Sequence, residues 1–173
     1  MMNAKVEEAL NAQINAEFWS AYLYLSMSAY CHKIDKPGMA NWFFIQFKEE
    51  QDHAQIFFNY VISRGGNVTL KPIDAVETEW VSPREVFEAT LTHEKKVTSL
   101  IHNLYDIATE EKDFATQSML KWFIDEQVEE EENARTIINN LIAVEGNNFG
   151  LYMIDKELAA RTYTQASPLQ SAK

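Results

Sequence analysis

Apolar residues recur every three or four positions through four long stretches of the chain, the spacing of one buried face on an α-helix. The first runs from about Asn3 to Cys31, with Val6, Leu10, Ile14, Phe18, Tyr22 and Leu25 on one side. In "KIDKPGM" Pro37 and Gly38 break it, because both disfavour a continuing helix. The second stretch runs from about Met39 to Arg64 and stops at Gly65-Gly66. The third has the clearest start: Ser82 as N-cap, Pro83 at the first helical position and Glu85 completing a capping box. It continues to about Thr109. The fourth begins near Asp113, a good cap, and ends before Gly146. A shorter fifth segment, "FGLYMIDKELAARTY", covers about 149–163, and "TQASPLQSAK", 164–173, reads as a frayed tail.

Linker lengths constrain the topology. Helices one and two are joined by a few residues and are expected to be antiparallel neighbours, as are three and four. Gly65 to Val81 is long for a connection. Its seventeen residues, at ~3.3 Å each, span about 56 Å, more than the ~40 Å length of helix two. The linker can therefore run the length of a bundle, so that helices two and three point the same way. An all-α four-helix bundle with one long crossover is expected, as a single domain over 1–173 with its bundle at about 3–145.

The stripes carry polar interruptions at similar heights. Helix two reads Phe43, Phe47, Glu50, His53 or Ala54, Phe57, Val61; helix three reads Phe87, Leu91, Glu94, Val97, Ile101, Tyr105. Helix four reads Leu120, Phe123, Gln127, Glu130, Ala134, Ile137, Leu141, and in helix one Glu17 adjoins Ile14 and Phe18, with Tyr24 two turns along. One such Glu is usually a boundary residue whose carboxylate reaches water. Four helices each interrupted near mid-length are another matter. The carboxylates would converge, repel and be driven to higher pKa unless cations held them. Carboxylates with one imidazole and one amide, and no thiolate, suit hard or borderline divalent ions, and the imidazole favours Fe, Mn or Zn over Mg²⁺ or Ca²⁺.

Composition narrows the partners. With 46% hydrophobic residues and 12% aromatic the chain can pack a core, and only 5 Gly and 4 Pro argue against an all-β fold. There are 26 acidic against 15 basic residues, a net charge of −11. That field repels nucleic acid and anionic lipid and attracts cations. The single cysteine, Cys31, excludes an internal disulfide and a thiolate cluster within one chain, and reads as a small buried apolar residue. The N-terminus lacks the pattern of a signal peptide and no run approaches the ~20 apolar residues of a membrane helix, so a cytoplasmic location is expected. His32, His93 and His102 show no ligand spacing.

Helix two carries the full motif Glu50-Gln51-Asp52-His53, while helix four has Gln127-Val128-Glu129-Glu130. With "INAEFWSAYLYLSMS" around Glu17, "HE" at His93-Glu94, "EQVEEE" at Glu126 to Glu131 and "GLYMIDKEL" at Gly150 to Leu158, the chain resembles the non-haem bacterial and archaeal ferritins, a branch of the ferritin-like di-iron family, over nearly its whole length. Bacterioferritins keep Glu-x-x-His twice and bind haem through a methionine; Gln51 stands in that methionine's place here, so no haem is expected.

The resemblance implies a ferroxidase centre and two iron ions per subunit. Glu17, Glu50 and His53 would hold one, and Glu50, Glu94 and Glu130 the other, with Glu50 bridging and Gln127 beside them. It implies a third iron position from Glu49, Glu126, Glu129 and Glu130. Tyr24 is either a redox-active neighbour donating an electron or a phenol hydrogen-bonded to a site carboxylate. Glu131 and Glu132 read as a solvated face. The resemblance further implies iron storage: Fe(II) oxidised by dioxygen and laid down as mineral in a hollow shell of twenty-four subunits. The fifth helix would pack around its fourfold axes, and Glu110, Glu111 and Asp113 would lie by its threefold channels. The alternatives are a free-standing di-iron oxidase or peroxidase of rubrerythrin type, whose usual Cys₄ domain one cysteine cannot supply, and a purely structural bundle.

Overall fold

A computed structural model describes residues 2–170. Five helices make up most of it: α1 (Ala4–Lys33), α2 (Pro37–Ser63), α3 (Pro83–Glu110), α4 (Phe114–Ala143) and α5 (Asn148–Leu158), followed by the single turn α6 (Ser167–Gln170). Cross-helix bonds fix the directions. Ser28 meets Ala40 and Glu17 meets Glu50 across α1 and α2, and Ser20 meets His93 and Met27 meets Thr90 across α1 and α3. Gln46 pairs with Glu130 and Tyr60 with Thr116. Both α2 and α3 thus run against α1 and parallel to each other, as the long linker requires.

That linker lies in an extended path along α1. Asn11 donates to the Asn67 carbonyl and accepts from Thr69 N, Asn15 donates to the carbonyls of Lys71 and Pro72, and Ser26 donates to that of Glu77. Side chains of α1 therefore satisfy backbone groups that the linker, lacking regular structure, cannot pair for itself. Tyr30 and Trp80 pack edge to face at 5.3 Å at its far end.

The predicted boundaries hold to within a few residues, with instructive exceptions. Pro37 and Gly38 begin α2 rather than lying ahead of it, Pro37 taking the first-turn position where no N–H is needed. Lys36 gives α2 no side-chain cap; instead Asp155 of α5 accepts from Met39 N at 2.9 Å. This approach is so close that a Cβ on Gly38 would fall 1.6 Å from the Asp155 carbonyl oxygen. Ser82 caps α3 as expected, but Glu85 reaches the N–H of Val81, one residue before the cap. The fifth helix stops at Leu158, short of Tyr163, because Asn41 takes the carbonyls of Leu158 and Arg161. Of the stretch expected to fray, residues 164–170 run on to α6, with Ala166 and Leu169 against the core, and 171–173 lie outside the described residues.

In α1 the buried face passes through Glu17, Ser20, Ala21, Tyr24, Met27, Ser28 and Cys31. Phe18 and Leu25 are partly exposed and Tyr22 is 51% exposed. The inward face mixes polar Glu17, Ser20 and Ser28 with Leu23, Tyr24 and Met27, while Phe18, Tyr22 and Leu25 stand partly or largely outside, so apolar periodicity alone picks the wrong row beyond Ile14.

The core is divided in two. One cluster, at the end where α5 docks, gathers Tyr24, Met27, Met39, Trp42, Phe43, Phe87 and Leu141; the other gathers Leu10, Ile14, Phe57, Val61, Ile101, Leu120 and Phe123. Between them lies a layer of buried Glu17, Gln46, Glu50, His53, Glu94, Gln127 and Glu130. Cys31 belongs to the first cluster, with no exposed surface, and burial pushes its thiol up to about 12. The native protein is therefore expected not to react with an aromatic disulfide reagent near neutral pH, and to consume one equivalent per chain once denatured. Fast native reaction would show that α1 and α2 separate more readily than this packing allows.

Candidate metal centre

All four bundle helices contribute to the polar layer because each places a polar residue at the same height on its inward face. On α2, Glu50 and His53 stand one turn apart, and His53 Nδ1 lies 3.5 Å from Glu50 Oε2. Edge contacts from Trp122 and Phe123, at 5.5 and 5.6 Å, set the plane of the imidazole. Glu17 comes from α1 and accepts from Gln13 Nε2 at 2.7 Å. One ligand atom from each of Glu17, Glu50 and His53 lies within 4.8 Å of the others. The trio could hold a cation, and Glu17 Oε2 and Glu50 Oε2 are buried with no hydrogen-bond partner. Orphaned carboxylate oxygens are costly, and a divalent ion at their meeting point would satisfy both.

The carboxylates of α3 and α4 stand beside this trio. Glu94 Oε1 accepts from Tyr24 OH, and its Oε2 accepts from Gln127 Nε2 at 3.0 Å. Gln127 also reaches the Glu94 carbonyl and Thr98. Glu130 Oε2 accepts from Gln46 Nε2 at 2.8 Å, while Gln46 Oε1 is buried without a partner. Glu94, Gln127, Glu130 and Tyr24 are thus brought to the layer, with Glu94 engaged at both oxygens.

Electrostatics tie the members together. Burial, then the neighbouring Glu50, raises the Glu17 carboxyl well above its ordinary range; burial, then Glu94, does the same to Glu50. Glu94 is raised by burial although Tyr24 and Gln127 oppose this, and Glu130 is raised to about 8 by burial and then by Glu94. The Tyr24 phenol is raised by burial and by the adjacent Glu94 charge. Without a cation, this layer keeps protons that ordinary carboxyls would have lost.

The remaining acidic residues are arranged differently. Glu49 is partly buried and paired with Arg161 at 2.6 Å. Glu126 is half-buried, with its carboxyl raised by burial, and Glu129 is exposed. Glu131, read from the sequence as solvated, is partly buried and accepts from Thr98 at 2.8 Å. Glu132 is exposed. His93 is turned away from the carboxylates to Ser20 Oγ at 2.8 Å, and burial lowers it to about 4, so it stays neutral near pH 7.

Three members escaped sequence reasoning. Gln46 and Gln13 each lie four residues before a layer glutamate, Glu50 and Glu17, and that spacing was a usable signal; choosing Phe47 for the stripe hid the first. Arg161 carried no signal, because only the folded chain brings it to Glu49.

Comparison with known proteins supplies an independent line. The profile of the ferritin-like domain family matches residues 7–144. The chain is 41% identical over 165 residues to the bacterial non-heme ferritin of Staphylococcus aureus strain USA300, covering 95% of this chain and 99% of that one. It is 40% identical over 166 residues to the same-named protein of Staphylococcus saprophyticus, covering 96% and 99%. Among solved structures, the open pore ferritin of the hyperthermophilic archaeon Archaeoglobus fulgidus superposes with a TM-score of 0.93 at 44% identity, covering 94% of this chain and 100% of that one. A form of the Archaeoglobus fulgidus ferritin engineered to be closed superposes at 0.94 with 44% identity, covering 95% and 100%.

Proposed function

The chain belongs to the family of ferritin-like domain proteins, and on that premise we propose that it oxidises Fe(II) with dioxygen at its buried polar layer and stores the Fe(III) as mineral inside a shell of its own copies. The observation that carries this reading is the trio Glu17, Glu50 and His53 with its two orphaned carboxylate oxygens. Iron enters as substrate and leaves as cargo.

In this reading Glu17, Glu50 and His53 hold one ion, and Glu50, Glu94 and Glu130 hold the second, with Glu50 shared. Carboxylates are hard anions and favour Fe(III) over Fe(II), which makes electron transfer to dioxygen downhill. The chain's own residues prepare that step. Gln13 and Gln46 orient Glu17 and Glu130 by one N–H each. Gln127 and Tyr24 hold Glu94, and a displaced Gln127 amide is then free to bond to water or bound oxygen. As ions bind, the carboxyls give up the protons that burial had kept on them. The aromatic clusters above and below, such as Phe57 against Phe123 at 4.1 Å, exclude bulk water.

A single domain of this size supplies one site, and storage needs a container. Exposed apolar side chains support assembly: Phe149 at 71%, Tyr152 at 53% and Met153 at 50% on α5, and Phe114 at 72% at the start of α4. The test is aerobic loading of metal-free protein with excess Fe(II), followed by sizing chromatography with iron and protein measured in one peak. Iron far beyond three per chain in a very large particle is the expected result. Two or three per chain in a small oligomer would overturn storage and leave a di-iron oxidase.

A further inference from the structure

After α5 the chain does not leave the bundle; residues 159–166 lie along α2. One anchor is Asn41, whose Nδ2 donates to the Leu158 carbonyl at 3.4 Å and the Arg161 carbonyl at 3.1 Å. The other is Asp52, whose Oδ2 accepts from Tyr163 OH at 2.8 Å and from Ala166 N at 2.9 Å. Between the anchors Arg161 points at Glu49. Its Nη2 donates to Glu49 Oε2 at 2.6 Å, its Nη1 donates to the Trp42 carbonyl at 3.3 Å, and the guanidinium stands 4.7 Å from the Trp42 ring centre. A planar, permanently charged fork suits these contacts as a lysine would not.

Glu49 is the residue before Glu50, and its surroundings are the rim of the carboxylate layer. The charge on Glu126 acts on it, that on Glu49 acts on Glu130, and His53 faces it on the same helix. Among the described residues no other lysine or arginine forms an ion pair with Glu49, Glu126, Glu129 or Glu130. Among the described residues Glu17 and Glu50 pair with no lysine or arginine. One edge of the layer is thus neutralised by the chain itself, and the other is left to a metal.

We propose that Arg161 is a built-in counter-cation for Glu49, so that an ion binds the third position, formed with Glu126, Glu129 and Glu130, only by displacing the guanidinium. This inference rests on the two-metal reading above and on the third iron position that the resemblance implies. A divalent ion brought to the Glu49 carboxylate meets the positive charge of the guanidinium already bonded to its Oε2, which opposes its binding. The arginine side chain is 23% exposed and that of Glu49 22%, so Arg161 can swing into solvent without leaving a buried charge behind. The first two ions meet no such competitor. The layer therefore fills in order, and the third ion is held loosely enough to move on.

The test is calorimetric titration of the assembled, metal-free protein with Zn(II), a non-redox probe, in the native chain and in Arg161→Gln, Arg161→Met and Arg161→Lys. Arg161→Met keeps an apolar stem over Trp42, so either neutral variant that folds suffices. Two tight ions per chain are expected throughout. Affinity for the third should rise roughly tenfold in the neutral variants, stay near native in Arg161→Lys, and lose its gain when Glu49→Gln is added. A third ion no tighter in the neutral variants, with two tight ions intact, overturns the role of Arg161 and spares the two-metal reading. Absence of tight ions from the native chain, with Glu50→Ala changing nothing, overturns both.

Discussion

Replacing Glu50 and Glu94 together by alanine is expected to lower the proposed aerobic oxidation of Fe(II) by at least about 100-fold while the bundle stays folded. The rate effect follows from position. Glu50 belongs to the trio, beside His53, and is the carboxylate proposed to bridge, while Glu94 is oriented by Tyr24 and Gln127. Losing a partner that merely orients a ligand costs about 10–100-fold, and removing the shared ligand with a second one costs more. Stability is expected to change less than in a usual core truncation. Each alanine leaves a void, costing a few kcal/mol, yet each also removes a buried carboxyl whose ionised form is strongly disfavoured. The two effects offset, and the metal-free double variant should melt within the range of about 2 kcal/mol around the native chain. Stopped-flow absorbance after mixing with Fe(II), with circular dichroism melting of the same sample, reads both. Undiminished oxidation would mean that the polar layer is structural.

The second large effect is a reversal of the usual dependence of stability on pH, removed by metal. In the folded, metal-free chain the carboxyls of Glu17, Glu50, Glu94 and Glu130 all titrate above their ordinary value of 4.5, Glu130 at about 8. The unfolded chain ionises them near 4.5, so between that pH and about 8 the folded state binds more protons. The contribution of Glu130 is fully present below about 4.5 and is lost as pH rises through about 8, on the order of a few kcal/mol; those of Glu17, Glu50 and Glu94 are likewise lost as pH rises through their own raised values. A divalent ion does for the carboxylates what the protons did. Its stabilisation grows with the ratio of its concentration to its dissociation constant, and is larger at pH about 8 than at about 5.5, because fewer protons compete. Calorimetric melting at both pH values, with and without Zn(II), makes the comparison. Glu130→Gln should flatten the metal-free decline. Equal gains at both pH values would show that Zn(II) binds elsewhere.

How much of this was legible beforehand differs from helix to helix. In α4 every stripe residue from Leu120 to Leu141 that periodicity selected is buried, because the helix has one apolar face with Gln127 and Glu130 set within it. In α1 the same rule followed Phe18, Tyr22 and Leu25 outward, because the inward face interleaves Glu17, Ser20 and Ser28 with Ala21, Leu23, Tyr24 and Met27. A helix that buries function looks inside out to a count of hydrophobic residues. Glu17 was still found, since its height matched that of Glu50 and Glu94. The paired glutamines were passed over: an amide four residues from a glutamate is common on any helix, and only burial makes it consequential.

The sequence by itself determined the helices, their order, the crossover and the ring of carboxylates at mid-height. These follow from local chemistry: period 3.6, caps at Ser82 and Asp113, chain breaks at Pro37 and Gly65, and a linker long enough to span the bundle. Only the tertiary structure decided which acids stand without a donor and which are already satisfied. Glu17 and Glu50 keep orphaned oxygens, Glu94 is held by Tyr24 and Gln127, and Glu49 is taken by an arginine 112 residues away in the chain. Hydrogen-bond satisfaction and charge compensation depend on distances of about 3 Å between groups remote in sequence, and no periodicity encodes those.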